Sequence, residues 1–277
     1  MQYLRVTSVN DLLERLSAPG SAILCGGTDL WVKIRAGLAA PETLLDISDL
    51  DELRAVQLVD GSIEIGAAVP EEDLLRSPIL AEHLPLLVDV LRVLGSTQIR
   101  NRGTLGGNLV NASPAADSAI PLLLYEASVL LQRAGGERTV PLSEFFRAPS
   151  KTALDRGEFV RCLRVPVPGR SFTTFFHKVG KRRALTIAIA SVGALLDVDD
   201  VRVVQARFAA GSVAPVPLRL EAVERLLVGS RLDANVIAEA RTAALESVSP
   251  ISDVRASADY RREVVADLVV RALRAAG

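Results

Sequence analysis

Residues 22–30, AILCGGTDL, set a short apolar run, Ala22–Cys25, directly against Gly26, Gly27 and Thr28, and Leu30–Ala36 then reads as a helical stretch stopped by Gly37. A buried strand that breaks at two glycines and re-enters as a helix exposes several backbone N–H groups at one point. Residues without side chains let an anion reach them. The segment is not G-x-G-x-x-G, so the fingerprint of a doubly wound dinucleotide fold does not apply. Taken alone, Gly26 and Gly27 need supply no more than a turn with positive φ.

A second segment repeats the theme. Thr104-Leu105-Gly106-Gly107-Asn108 lies inside IRNRGTLGGNLVNASPAADS, residues 99–118, a stretch too long and too polar to be core that reads as an ordered loop. Two Gly-Gly sites, each flanked by threonine, could converge on one diphosphate, with Asp117 spaced to accept hydrogen bonds from ribose hydroxyls. The plain alternative is a glycine-rich strand that crosses close to a neighbour. A third segment, Phe176–Arg183, collects Lys178, Lys181, Arg182 and Arg183 at the end of a strand. Such a cluster is a solvated rim, or it is a fixed cation beside a flavin, where it would stabilise the anionic reduced ring.

Outward from these segments the chain alternates short elements. Ser8 followed by Asp11 resembles a capping box opening a helix through Leu12, Leu13 and Leu16, ended by Pro19-Gly20. Thr43–Ile47 reads as a second buried strand, and Leu53–Val59 and Ser62–Ala67 as a hairpin around Asp60-Gly61. Leu80, Leu84, Leu87, Leu91 and Leu94 recur at helical spacing and predict one helix over 78–94, with His83 on its surface. Pro121–Leu124 is expected as helix, Ala127–Gln132 as strand, and Arg138–Val140 as the strand after a Gly135-Gly136 turn. Pro166, Pro168 and Gly169 mark a boundary. Beyond it come three long strands, Phe172–Val179, Thr186–Val198 and Val201–Ala210, with His177 facing solvent. The helices Arg219–Leu227, Asp233–Val248 and Asp259–Ala275 follow, the last with Val264, Leu268 and Ala272 on one face. Strands followed by helices give an α+β domain with helices on one face of an antiparallel sheet. Trp31 and Tyr260 are expected to pack rather than to stack on a ligand.

Composition narrows the function. The 277 residues are 49% hydrophobic with a formal net charge of −1, and the basic residues are spread along the chain rather than clustered as in a nucleic-acid binder. No stretch approaches the ~20 apolar residues of a membrane helix. Arg5, Asp11, Glu14 and Arg15 interrupt the beginning of the chain where a signal peptide would be apolar, so a soluble, cytoplasmic protein is expected. The isolated cysteines Cys25 and Cys162 cannot ligate an iron–sulfur cluster, and His83 and His177 lack metal-ligand spacing. Cys25 has no neighbouring base in sequence to activate it. Any redox chemistry must therefore rest on an organic cofactor.

In this order and spacing the three segments resemble the FAD-binding medium subunit of the xanthine dehydrogenase and carbon monoxide dehydrogenase family. CGGTDL stands at the family's first Gly-Gly phosphate loop and GTLGGNLVNASPAAD at its second, with the Asn form at position 108. FHKVGKRRALTIAIASV opens its small C-terminal domain, and SDVRASADYRREVVADLVVRAL resembles its ending, so the resemblance covers essentially the whole chain. It implies a two-subdomain FAD-binding domain of the vanillyl-alcohol-oxidase (PCMH) type over 1–168, split into about 1–55 and 56–168. A small α+β domain with a three-stranded antiparallel sheet would occupy 169–277.

By the same resemblance, Cys25, Gly26, Gly27, Thr28, Asp29 and Leu30 would hold the diphosphate of non-covalent FAD together with Thr104, Leu105, Gly106, Gly107 and Asn108. Asp117 would bind the sugar or adenine end, Val160 would pack on the cofactor, and Lys178 would lie near the isoalloxazine ring. Several relatives carry an acidic residue around Leu185 or Thr186 that this chain lacks, so cofactor potential and acceptor preference do not transfer. The 4-hydroxybenzoyl-CoA branch, with an inserted cysteine-ligated cluster, is disfavoured by the two isolated cysteines. The implied partners are a [2Fe–2S] small subunit and a molybdopterin large subunit, arranged as a dimer of heterotrimers, with NAD or another oxidant as acceptor. Two other readings stand beside this one, an FAD-less structural subunit and a stand-alone flavin oxidase. The intact Gly-Gly segments and Asp117 argue against the first, and the absence of a polar substrate site after Gly169 against the second.

Overall fold

The computed structural model describes residues 1–182 and 185–277; Arg183 of the basic segment lies outside the described residues. The first sheet is parallel, with Thr43–Asp46 between Gln2–Arg5 and Ser21–Leu24. The edge strand Gln2–Arg5 has only one partly covered position and no alternation, and so gave no sequence signal. Parallel neighbours need a crossover, supplied between the first two strands by the Val9–Leu16 helix. Its start is the expected one: Ser8 Oγ accepts from Asp11 N at 3.1 Å, and Asp11 Oδ2 accepts in return from Thr7 N at 3.1 Å. Leu12, Leu45 and Ile47 join Phe159 in a small core beneath this sheet.

The second sheet is antiparallel, in the order Val56–Val59, Ser62–Gly66, Phe159–Pro166, Ser128–Arg133, Gly136–Pro141. Asp60 and Gly61 turn its first hairpin with φ of 48° and 74°, the pair of positive values a two-residue turn of this kind demands. The residues before it differ from expectation, since Asp51–Leu53 is a 3-10 turn and the strand begins only at Val56. The central strand, Phe159–Pro166, is buried on both faces and its register shifts between Val160 and Cys162. A bulge of this kind erases the period of two that a sequence reading relies on.

Two helical expectations change. The leucine run over 78–94 is two helices, Pro78–His83 and Pro85–Val93. Leu84, at φ −129° and ψ 53°, is turned out of the helical region by Pro85 behind it. The periodicity still identifies the buried face, because Leu80, Leu84, Leu87 and Leu91 are all inaccessible. The polar 99–118 stretch is not a long loop either. It holds the helix Leu105–Asn111, capped by Thr104 Oγ1 accepting from Gly107 N at 3.0 Å and anchored by buried Leu105 and Leu109. His83 is partly buried, 3.8 Å from Glu82 Oε1, rather than on an open surface.

The third sheet contains Thr173–Val179, Ala190–Asp199 and Arg202–Gly211, all antiparallel. Where three strands are expected, a fourth short one, Leu218–Arg219, pairs at the edge. Helices Glu221–Leu227, Ala234–Glu246 and Ala258–Ala276 pack on one face through Val192, Ala194, Phe208, Val265 and Val269. The opposite face meets the Ala119–Leu124 helix, and Leu195 and Ala209 belong to the core of the second sheet. A Cβ at Gly193 would lie 2.6 Å from Ile120, so glycine there is what lets helix and strand touch. His177 is partly buried, its pKa held down by burial and by Arg271 on the last helix, rather than facing solvent. Trp31 and Tyr260, expected to pack, are 41% and 49% exposed. Among the described residues no helix is long and apolar enough to cross a membrane.

Candidate functional site

A cavity of about 430 Å³ opens where the first sheet meets the second. Its wall brings together Cys25, Gly26, Gly27, Thr28, Asp29 and Leu30 from the first segment with Thr104, Gly106, Gly107 and Asn108 from the second. Val160, on the bulged central strand, lines it too. The remaining candidates lie elsewhere. Leu105 is 1% exposed and turned into the core, and Asp117 and Lys178 are outside the lining, paired with each other.

The glycines divide by task. A Cβ at Gly26 would stand 2.0 Å from the carbonyl oxygen of Arg102, and one at Gly106 would stand 2.7 Å from that of Ala67. Both make room for protein backbone and draw the two segments together. A Cβ at Gly107 would find only Thr104 Oγ1 within reach, at 3.2 Å, so this position faces the cavity. Among the described residues, the N–H groups of Gly27, Thr28, Leu105 and Gly106 have no backbone acceptor. For Leu105 and Gly106 this is the ordinary condition of a helix's first turn.

The side chains around this cradle are held firmly. Ser118 Oγ donates to Asn108 Oδ1 at 2.9 Å, and Lys33 Nζ, from the helix after the first segment, donates to Asn111 Oδ1 at 2.5 Å. Burial pushes the Cys25 thiol up, against the pull of the Thr104 hydroxyl and the Gly26 N–H, so it is a packing residue and not a reactive thiolate. Lys178 Nζ reaches Asp117 Oδ2 at 2.6 Å and Val93 O at 2.8 Å, leaving Asp117 Oδ1 buried without a partner. Burial raises the Asp117 carboxyl while the Lys178 ammonium opposes it.

Sequence reasoning missed three charged members of the wall: Lys33, Glu71, and Glu158, which Arg138 holds at 2.7 Å. Glu71 sits in Pro70-Glu71-Glu72-Asp73, which reads as the solvated first turn of a helix; only the fold brings Gly103 down upon it. Lys33 looks like an ordinary surface lysine until Asn111, 78 residues away, is placed opposite it. Among the described residues there is no His, Cys, Asp and Glu grouping that could hold a metal ion.

Two family descriptions together account for nearly all of the chain. Residues 1–168 match "FAD binding domain in molybdopterin dehydrogenase" and residues 175–276 match "CO dehydrogenase flavoprotein C-terminal domain". The chain belongs to this family of FAD-binding subunits. The flavoprotein subunit is 32% identical over 273 residues to the glyceraldehyde dehydrogenase medium chain of Sulfolobus acidocaldarius, covering 98% of this chain and 96% of that one. It is 32% identical over 277 residues to the carbon monoxide dehydrogenase medium chain of Hydrogenophaga pseudoflava, covering 99% and 96%. A solved structure of carbon monoxide dehydrogenase from the same organism, lacking the Mo-pyranopterin moiety of its cofactor, superposes with a TM-score of 0.95 at 32% identity, over 100% of this chain and 96% of that one. These relatives are dehydrogenase subunits, and FAD is the cofactor of the first matched domain. The residues present fit it: unpaired N–H groups from both segments, an open side at Gly107, and two buried carboxyl oxygens, on Glu71 and Asp117, without partners.

Proposed function

We propose that the subunit holds FAD with its diphosphate in this cavity, on Gly26–Leu30 and on Thr104, Gly106, Gly107 and Asn108, with Val160 against the cofactor. Electron transfer from the [2Fe–2S] centre of a small subunit to NAD or another acceptor is the chemistry that bound FAD supplies. Substrate hydroxylation belongs to a molybdopterin large subunit, and the assembly is a cytoplasmic dimer of heterotrimers. Residues 1–168 form the FAD-binding domain, with subdomains of about 1–55 and 56–168, and 169–277 the closing domain.

The observation that carries the reading is the convergence of two distant Gly-Gly segments on one cavity, with Gly107 left open toward it. Gly26 and Gly106 keep the walls close. Asp117 Oδ1 is the acceptor left for a donor of the cofactor, and Lys178, which holds Asp117 at 2.6 Å, would serve the same end of it. Among the described residues nothing offers a general base and nucleophile set for substrate chemistry of its own.

The test is a visible spectrum of the purified chain with the released chromophore identified. Bands near ~375 and ~450 nm and free FAD after heating are expected. Gly107→Val places a branched side chain in the open cradle and should abolish FAD retention while leaving the thermal midpoint within a few degrees of wild type. Full flavin in that variant removes the site. A colourless chain that takes up no added FAD favours a structural subunit instead.

A further inference from the structure

Of the carboxyls in the cavity wall, Asp29 is exposed and Glu158 is paired with Arg138, whereas Glu71 is buried with no ion pair among the described residues. Glu71 opens the four-residue helix after Pro70, is 2% exposed, and its Oε2 has no hydrogen-bond partner. Its backbone is fixed between the two Gly-Gly segments, since Glu71 N donates to Gly103 O at 2.8 Å. Gly103 presses on the side chain so closely that a Cβ there would be 2.8 Å from Glu71 Oε2.

The charged groups around it are already committed. Arg100, at the end of the short Thr97–Arg100 helix, gives its guanidinium to Glu72 Oε2 at 2.8 Å and to Leu94 O at 3.1 Å. Arg76 pairs with Glu72 and Arg54 with Asp73. Lys33, across the cavity, holds Asn111. Asp29, from the first segment, carries the same sign as Glu71 and raises its pKa further. Burial is the larger cause, and the carboxyl is pushed up to about 7 although Arg100 acts against it. An ionised carboxylate in this position would be desolvated, unpaired and beside an anionic diphosphate, whereas the neutral acid has a proton to donate.

We propose that Glu71 is a cofactor-binding residue that works as an acid: in the loaded site it is protonated at Oε2 and donates to an anionic oxygen of FAD between the two Gly-Gly segments, so that FAD binding takes up one proton from solvent. The inference rests on the cavity being the FAD site. No covalent bond is made or broken; the proton moves from water to Glu71 as the second negative charge arrives. The sequence neighbours of Glu71 cannot replace it, because Glu72 and Asp73 face arginines.

The experiment uses the full chain stripped of flavin and refilled with FAD, followed by titration calorimetry at pH 8 in two buffers of different ionisation enthalpy. Wild type is expected to take up about one proton per FAD, and its affinity to weaken about tenfold per pH unit above 7. Glu71→Gln keeps a donor at every pH, so its proton uptake should vanish and its affinity should be flat from pH 6 to 9. Tight FAD binding by wild type with no proton uptake overturns the inference while leaving the cavity reading intact. A glutamine variant that retains the wild-type pH profile does the same. Failure of wild type to bind FAD at any pH overturns the cavity reading and this inference with it. If the variant does not fold, the wild-type proton count decides alone.

Discussion

Asp117 and Glu71 are both nearly inaccessible carboxyls, each with one oxygen lacking a partner and each with its pKa raised by burial. They differ in one neighbour. Asp117 has Lys178 at 2.6 Å, whereas Glu71 has only arginines that are bound to other groups. Asp117 has a cation beside it to oppose the burial that raises its pKa, whereas Glu71 has no such partner and keeps its proton up to about pH 7. The first arrangement fixes a strand of the third sheet to the loop before the Ala119–Leu124 helix. The second makes a binding wall responsive to pH near neutrality.

Breaking the pair should have the largest effect. Lys178→Met leaves Asp117 buried without its cation and should cost about 3–5 kcal/mol of unfolding free energy in denaturant titrations. A loss below about 1 kcal/mol would show that the pair is not the isolated unit described here. Glu71→Gln should move stability the other way. The folded-state pKa of Glu71, about 7, lies above its ordinary value of 4.5, so wild type is most stable with respect to this group below pH 4.5. That stability is lost as pH rises toward 7 and stays lost above it. At pH 8 the FAD-free glutamine variant should therefore be more stable than wild type by about 3 kcal/mol, with the two converging near pH 4. Parallel curves would break the comparison. The smallest effect sharpens it. Thr104→Ala removes the cap on the Gly107 N–H and should cost about 1 kcal/mol, equally at acid and neutral pH, because the one titrating group its hydroxyl touches, the Cys25 thiol, is pushed up by burial.

Much of this was legible locally. The Ser8–Asp11 cap, the Asp60-Gly61 turn, the long C-terminal strands and the two Gly-Gly segments are all short-range chemistry. The illegible parts depend on distance. The reading of Gly26 and Gly106 as approach routes for an anion missed that Arg102 and Ala67 backbone fills those spaces, leaving Gly107 as the open position. Helical periodicity located the buried leucines of 78–94 but could not register that Pro85 turns Leu84 out of the helix. Asp117 and Lys178, placed by resemblance at opposite ends of a cofactor, are bonded to each other across 61 residues. Glu71 and Lys33 had no signal, because an acidic first turn and a lone lysine are the commonest surface patterns there are.

The strand Ala190–Asp199 gives the molecule a property that belongs to neither half. Its odd-numbered face, with Gly193 against Ile120, completes the core of the second sheet, and its even-numbered face completes that of the C-terminal helices. A single strand thus serves as a party wall. Neither half can lose its packing without baring one side of the other, so the two are expected to unfold together.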